Sequence, residues 1–383
     1  MLSRRRQLAA KIESAEGTAE TLAAADAKLL VYTPKVSFDP EMFTRDPVRA
    51  SHSRIGKVPG KRPASLGFSM ELRGSGTATT EPEWSKLLKS CGFAINVLRS
   101  INIGTVTGGP FQHGEIITGG SSGGTGRVVI KTATGAANIY YVELSGTLQS
   151  GEVITGGTST ATATTSSTPS TVGKEWKPVS YYSNNIASLT MATYEDGVRK
   201  LITGARGNVK FTLKAGQPVM MEYAFQGVEG GITDTALLTG ITYETPIPPA
   251  FLSALFSIDA VSAKVGELEI DMGNKLAGRD DINSARGLLS YLITDRETAG
   301  SFNPEMALVA SHDFHSKWFG GTEMVLDFQV GSTTGNKFRF YAPKVQYTKV
   351  DDEDRDGIQL AKCAFDFNGT VSPGDDEFCI LAL

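Results

Sequence analysis

The sequence predicts a mainly β protein: two tandem β-sandwich or partial-barrel units, each with one short helix, and one small inserted β module. Three observations support this prediction. Apolar and polar residues alternate over many short stretches, as in strands with one buried face. Glycine is frequent, with 42 residues in 383, and threonine and serine are common, which favours short strands joined by turns. The endings of two predicted hairpins also repeat each other.

These two hairpins carry the clearest alternation. One is predicted over residues 209–227 and the other over residues 336–369, where an acidic turn at 351–357 separates the strands. Both end with two alternating aromatic residues, then an amide and a glycine. The closing glycines, Gly227 and Gly369, lie 142 positions apart. We therefore interpret the chain as two copies of one β-rich unit.

Each unit is also predicted to contain one short helix. Residues 81–93 include a proline suited to a first helical turn and a glycine suited to a helix end. Residues 310–321 are the counterpart, because the Ser-Lys pair that starts at Ser85 recurs at Ser316, 231 positions later. This spacing exceeds the hairpin spacing by 89 residues, so the first unit contains extra chain between its helix and its hairpin.

The extra chain is predicted to be an inserted module. Glycine, threonine, serine and alanine dominate residues 104–172, and a Gly-Glu-x-Ile-Thr-Gly-Gly motif starts at Gly114 and again at Gly151. The glycines do not form a phosphate-binding loop, because no Gly-Lys-Ser/Thr sequence follows them. Strand-like stretches between the two motifs indicate a small β module.

These patterns divide the chain into four parts. Residues 1–28 are polar and alanine-rich, and we expect either an arm that becomes ordered on a partner or a frayed terminus. The first unit comprises residues 29–103 and 173–245, and the module comprises residues 104–172. The second unit comprises residues 250–383. Prolines between the two units mark the boundary.

Composition argues against several classes of protein. The chain has 41 acidic and 37 basic residues and a net charge of −4, whereas a protein that wraps nucleic acid needs a basic face. Its three cysteines cannot all pair within one chain, so reduced thiols in a cytosol are expected. We find neither a signal peptide nor an apolar run near the roughly 20 residues of a membrane helix.

Catalytic and metal-binding patterns are weak. The acidic turn that starts at Asp352 resembles the first half of a calcium loop, but Cys363 occupies the position that needs a bidentate glutamate. His312 and His315 have a spacing that suits a metal on a helix, but the sequence places no third ligand. No Gly-x-Ser-x-Gly sequence lies between a strand and a helix. We therefore predict no enzyme, no metal site and no cofactor.

Several segments resemble a known family. Residues 68–76 and 81–93, and in the second unit residues 268–274, 311–314 and 354–357, resemble the major tail tube protein of long flexible-tailed (siphovirus-type) bacteriophages. The resemblance covers residues 25–103 and 174–383. The Gly-Glu-x-Ile/Val-Thr-Gly-Gly motifs of the module are similar to repeats in virion structural proteins.

The resemblance implies a self-assembling virion protein. Family subunits pair sheet edges around a ring with six tube domains, and the rings stack into a tail through which DNA passes. Two domains in one chain would give a trimer with pseudo-sixfold symmetry, and a hexamer with one tube domain per chain is the alternative. The implied partners are further copies of the chain, the tape measure protein and tail-tip or terminator proteins. The implied location is the virion tail, assembled in the bacterial cytoplasm.

The resemblance also implies an open central channel. From the alternation in residues 266–272 we expect Glu267, Glu269 and Asp271 to face this lumen, where an acidic wall would repel DNA phosphates. The module would lie on the outer surface, because about 70 residues do not fit in a lumen that must stay open. Long loops such as residues 39–63 would bridge rings.

Other functions stay open at this point. A terminator or a baseplate hub shares the fold of a tube protein, and fold alone does not separate them. A carbohydrate-binding adhesin or decoration protein would use an aromatic platform on the module, for which the candidates are Phe111, Tyr140 and Tyr141. A hydrolase would need a convergent acid, base and nucleophile, which the sequence does not indicate.

Overall fold

A computed structural model describes residues 4–132, 135–180, 186–370 and 374–383. The protein is mainly β, as predicted. Before the insertion come six strands and a helix: β1 (Arg6–Ile12), β2 (Tyr32–Phe38), β3 (Met42–Phe43), β4 (Val58–Pro59), β5 (Pro63–Glu71), α1 (Ser85–Ser90) and β6 (Phe93–Asn102). A 3-10 helix, Ala24–Ala27, lies between β1 and β2.

The insertion and the following segment contribute the next nine strands. Five belong to the insertion: β7 (Ile116–Gly119), β8 (Thr125–Val128), β9 (Asn138–Ser145), β10 (Val153–Gly156) and β11 (Thr162–Thr164). Four more precede the predicted unit boundary: β12 (Ser170–Pro178), β13 (Leu189–Glu195), β14 (Val198–Lys214) and β15 (Met220–Asp234).

The second half contributes the remaining elements. They are β16 (Ser257–Ile258), β17 (Val265–Asp271), β18 (Asn274–Asp280), β19 (Leu288–Arg296), β20 (Ala299–Pro304), α2 (Phe314–Phe319), β21 (Glu323–Val330), β22 (Phe338–Arg355), β23 (Ile358–Phe367) and β24 (Cys379–Ala382). Both α-helices are shorter than the sequence indicated. Among the described residues, no helix is long and apolar enough to cross a membrane.

Eight strands lie side by side in one antiparallel row. Their order is β2, β5, β15, β14, β17, β20, β23 and β22. The first four come from the first half of the chain and the last four from the second half. Both halves also contain the same series of elements along the chain. In the first half β2, the β3–β4 hairpin, β5 and α1 follow one another, and in the second half β17, the β18–β19 hairpin, β20 and α2 do so.

The two halves share one sheet and one hydrophobic core. The β14–β17 ladder joins them from Lys210 opposite Asp271 to Lys214 opposite Glu267. Beneath it, Phe211 of the first half packs edge-on against Phe340 of the second, with ring centroids 5.7 Å apart. Apolar residues from both halves form a single buried cluster.

Helix α1 is anchored by two tryptophans in this core. Trp84 and Trp176 are fully buried, with ring centroids 4.7 Å apart. The Trp84 indole donates to the carbonyl of Arg73 at 2.7 Å, and the Trp176 indole donates to the hydroxyl of Ser85 at 2.7 Å. Both indole N–H groups are therefore satisfied inside the core, which makes this burial favourable.

The N-terminal segment is part of the sheet. Strand β1 pairs with β13 over its whole length, where the sequence led us to expect an arm or a frayed terminus. Leu8 and Ala10 pack into the main core, while Ala9 packs into a second cluster on the opposite side. Because both faces of β1 are buried at its centre, the three successive apolar residues Leu8, Ala9 and Ala10 all pack against other apolar side chains.

The insertion has its own core and a reciprocal capping arrangement. The Glu152 carboxylate accepts hydrogen bonds from the backbone and hydroxyl of Ser122, in the turn of the first motif. The Glu115 carboxylate likewise accepts from the backbone and hydroxyl of Ser159, in the turn of the second. Each motif therefore supplies the buried glutamate that closes the turn of the other.

Candidate functional site

The eight-stranded row has one polar face, formed by the side chains that point away from the core. On β14, Phe211 and Leu213 are buried while Lys210, Thr212 and Lys214 lie on the other side. Cross-strand register continues this polar face over the neighbouring strands through a set of aligned residues: Ser65, Ser69, Glu71, Glu222, Gln226, Glu267, Glu269, Asp271, Ser301, Lys362 and Asp366.

The three acids singled out in the sequence lie on the polar face. They alternate along β17 with the buried residues Leu268 and Ile270. Glu267 pairs with Lys214 at 2.9 Å, and Glu269 pairs with Lys210 at 2.9 Å. Asp271 accepts a hydrogen bond from the Asn208 amide at 2.6 Å.

These lysines change the charge of the polar face. The hydrogen bonds that Lys210 and Lys214 donate to Glu269 and Glu267 raise the pKa of both lysines, so they stay protonated. The sequence could not reveal these pairs, because the lysines belong to a distant strand and depend on the β14–β17 register. The face is therefore a mixture of paired charges and hydroxyl or amide groups rather than a purely acidic wall.

An open hollow of about 260 Å³ lies on the polar face beside β17. It is lined by Glu267, Glu269, Ser301, Phe302, Asn303, Glu353 and Lys362. Lys362 reaches Glu353 at 4.0 Å. In the part of the chain that the structure describes, His, Cys, Asp and Glu side chains do not gather into a set of three that could hold a metal ion.

The other sequence candidates lie away from this face or inside the core. The acidic turn between β22 and β23 is exposed, with Asp356 at φ 54°. His312 is buried, and its Nε2 lies 3.2 Å from the Tyr347 hydroxyl. His315 is on α2, against Phe319. The two histidines therefore belong to a helix docked on the sheet and to the turn before it.

The candidate aromatic residues of the module do not form an exposed platform. Phe111 and Tyr141 are fully buried in the core of the insertion. Tyr140 is half-buried and packs against a third apolar cluster, which also contains Tyr341 and Leu381 of the second half. These aromatic side chains stabilise the module and attach it to the rest of the molecule.

The two ends of the eight-stranded row are open. Strand β2 pairs with β5 on one side, and no other strand in the described ranges pairs with it. Strand β22 loses its partner β21 beyond Gln346 and then pairs, among the described residues, with β23 alone up to Arg355. Unpaired edges of this length are ready to bind another strand.

Comparison with known families decides the class of protein. The model of a family described as phage tail tube protein matches residues 3–372. The chain belongs to the phage tail tube protein family. No curated protein matches it. The family match spans both halves and the insertion, and it identifies a structural protein of the phage tail with a mainly β fold.

Proposed function

We propose that copies of this tail tube protein assemble into rings, and that the rings stack into the conduit through which DNA leaves the virion. The observation that carries the proposal is the row of eight strands with an open edge at each end. An exposed edge is a liability in a free chain, whereas a closed ring pairs every edge.

The proposed ring repeats a contact that the chain already contains. Strands β2, β5, β15 and β14 follow the same order as β17, β20, β23 and β22. This order supports two tandem units, residues 29–103 with 173–245 and residues 250–383, joined through β14 and β17. In the ring, β22 of one copy would join β2 of the next in the same way.

The symmetry follows from the number of units. Three copies, each with eight strands, would close a barrel with pseudo-sixfold symmetry, because each copy supplies two similar units. A hexamer in which each chain supplies one unit is the alternative. We favour the trimer because the four-stranded order occurs twice in this chain.

The polar face would line the channel. Glu267, Glu269 and Asp271 would then meet the passing DNA together with Lys210 and Lys214. Carboxylates repel phosphates, and lysines already paired with carboxylates attract them weakly. Such a wall lets DNA slide. The module, residues 104–172, would lie outside, and the tape measure protein and the tail-tip or terminator proteins of a siphovirus-type tail would be the further partners.

Negative-stain electron microscopy of the concentrated protein tests this proposal. We expect tubes with a regular ring repeat and an open channel, and image averaging should show three copies per ring. Six copies per ring would replace the trimer by the hexamer. Single closed rings that never stack would favour a terminator or a baseplate hub, and a chain that stays monomeric would contradict assembly.

A further inference from the structure

A hairpin of the second half of the chain packs against the first half. The β18–β19 hairpin leaves the sheet between β17 and β20 and lies against β14. The Asn274 amide donates to the carbonyls of Cys91 at 2.8 Å and Gly207 at 3.0 Å. The Arg206 guanidinium donates to the carbonyl of Tyr291 at 2.6 Å. The hairpin therefore contacts both β14 and the C-terminal end of α1.

Glycines shape this docking site. Gly92, with φ +87°, ends α1 directly below the hairpin. A Cβ on Gly204 would lie 2.8 Å from the Leu289 carbonyl oxygen, closer than atoms can approach. The hairpin packs closely because Gly204 has no side chain, and Ser290 is consequently fully buried.

The first half has a corresponding hairpin with an exposed apolar surface, although Lys61 at its base pairs with Asp280 of β18 at 2.6 Å. The β3–β4 hairpin leaves the sheet between β2 and β5, as β18–β19 does between β17 and β20. Its apolar side chains are exposed: Met42 at 50%, Phe43 at 58% and Val48 at 105%. Large apolar side chains so exposed on one projecting element indicate a contact surface.

The second half has a corresponding docking site that is uncovered. Helix α2 ends near Gly321, with φ +60°, as α1 ends at Gly92. Phe319, at this end, is 76% exposed, and Leu308 and Val309, which lie before the start of α2, are 80% and 72% exposed. By contrast, the apolar residues of α1, Leu87 and Leu88, are fully buried.

We propose that the β3–β4 hairpin of one copy docks on the C-terminal end of α2 in the adjacent copy. This contact rests on the proposed ring and adds a second interface to the pairing of β22 with β2. Within one chain, the pairing of β14 with β17 brings the β18–β19 hairpin to α1. Between copies, the proposed pairing of β22 with β2 would bring the β3–β4 hairpin to α2 in the same way. Its partner is a second copy of this chain.

Charge is consistent with this occupant. The exposed hairpin loop carries Arg45, Arg49, Arg54 and Lys57, against a single acid, Asp46. Next to the end of α2, Glu323 is exposed at the start of β21, where Lys344 pairs with it at 3.0 Å. A basic loop that reaches this carboxylate can share it with Lys344, which favours the correct register of the two copies.

Cysteine cross-linking of the full-length chain tests the docking. We would combine Phe43→Cys with Phe319→Cys, since the natural thiols of Cys91, Cys363 and Cys379 are buried and burial raises their pKa. A short bismaleimide added to assembled tubes should yield covalent multimers on a denaturing gel, whereas either single substitution should yield few. The control pairs Phe319→Cys with Ile282→Cys, at the 99% exposed tip of the docked hairpin, and should not cross-link.

A second variant tests the same contact through assembly. Phe319→Asp should raise the protein concentration needed for half-maximal assembly at least about tenfold, a shift of about 1.4 kcal/mol, without changing the thermal unfolding of the free chain. Leu255→Asp, at a 77% exposed position elsewhere, is the matched control and should assemble like the original chain.

The outcomes separate the docking from the ring. Normal assembly of the Phe319→Asp variant would overturn the docking while leaving the ring intact. So would tubes of the double variant, Phe43→Cys with Phe319→Cys, that fail to cross-link. An original chain that forms no tubes at all would overturn both.

Discussion

The glutamates of the inserted motifs combine burial with hydrogen bonds to the ionised form. Glu152 is 4% exposed, and its carboxylate accepts from the backbone N–H groups of Gln149 at 2.6 Å and Ser122 at 2.9 Å. Burial alone would raise the pKa of Glu152, but these hydrogen bonds outweigh it and lower the pKa below the ordinary value of 4.5. A residue that looks like a surface charge in the sequence is therefore structural.

Acidification should selectively weaken this module. A lowered pKa means that Glu152 stabilises the fold above its ordinary pKa of 4.5 and that this stability is lost as pH falls through the folded value. At neutral pH, Glu152→Gln should destabilise the module by about 1–3 kcal/mol, because an amide cannot accept all these hydrogen bonds. Hydrogen exchange of residues 121–124 would measure the change. Glu143→Gln, in a pair with Arg99 whose side chains are 26% and 28% exposed, is the control and should change exchange little.

The pKa of Glu244 is shifted in the opposite direction. Burial is the main cause that raises its pKa to about 7, and the nearby Glu83 adds to the effect. The folded chain therefore retains a proton that the unfolded chain has lost. Its stabilising contribution is complete below pH 4.5 and disappears as pH rises through about 7.

Glu244→Gln should therefore stabilise the protein only at high pH. The glutamine oxygen can still accept the hydrogen bond that the Glu83 backbone donates at 2.9 Å, but it carries no charge. Allowing for solvent screening at this half-exposed site, we expect a gain of about 1 kcal/mol at about pH 8 and almost none at about pH 5. Thermal unfolding at the two pH values measures it, and an equal change at both would contradict the assigned titration.

At the scale of single elements, the alternation of apolar and polar residues predicted which face of a strand is buried, but not which strands lie beside it. The pattern in β17 correctly separates Leu268 and Ile270 from the acids between them. The same pattern does not show how β17 aligns with β14, and this alignment brings Lys210 and Lys214 beside those acids. Likewise, three apolar residues in β1 are too few to show a period, so the sequence did not reveal a strand buried on both faces.

The ion pairs across β14 and β17 should contribute modestly to the joint between the halves. Lys210→Glu would place like charges beside Glu269 and Asp271 and should destabilise the chain by about 1 kcal/mol, since the pair is one-third exposed. Urea unfolding at low salt measures the loss, which should shrink in high salt. The charge-swapped double variant Lys210→Glu, Glu269→Lys should recover most of it. An unchanged midpoint for the single variant would mean that the pair adds nothing.

At the scale of the whole molecule, the sequence predicted two tandem units, but it did not show that one continuous sheet runs through both halves of the chain. Two hairpin endings and two helices indicated duplication, because such local patterns survive in the order of residues. The sharing of one core by Phe211 and Phe340, and the sheet that runs through both halves, depend on contacts between distant segments. The same limit applies to the open edges, since a strand's place in a sheet is a property of its neighbours.

The assignment of inside and outside in the tube has a direct chemical test. Ala224 is exposed on the polar face of β15, and Leu144 is 53% exposed on the module. If the polar face lines the channel, Ala224→Cys should react with a large polyethylene-glycol maleimide in the free chain and much more slowly in assembled tubes. Leu144→Cys should react equally in both forms, because the module faces outward in the proposed ring.

A small maleimide distinguishes a blocked channel entrance from a buried site. It should modify Ala224→Cys in tubes as well as in free chains, because small molecules diffuse along an open channel. Gel shifts measure each reaction, and the buried natural thiols keep the background low. Fast reaction of Ala224→Cys with the large reagent in tubes would place the polar face outside. Protection of Leu144→Cys would instead place the module between subunits, so the two substitutions together determine which surface of the chain DNA meets.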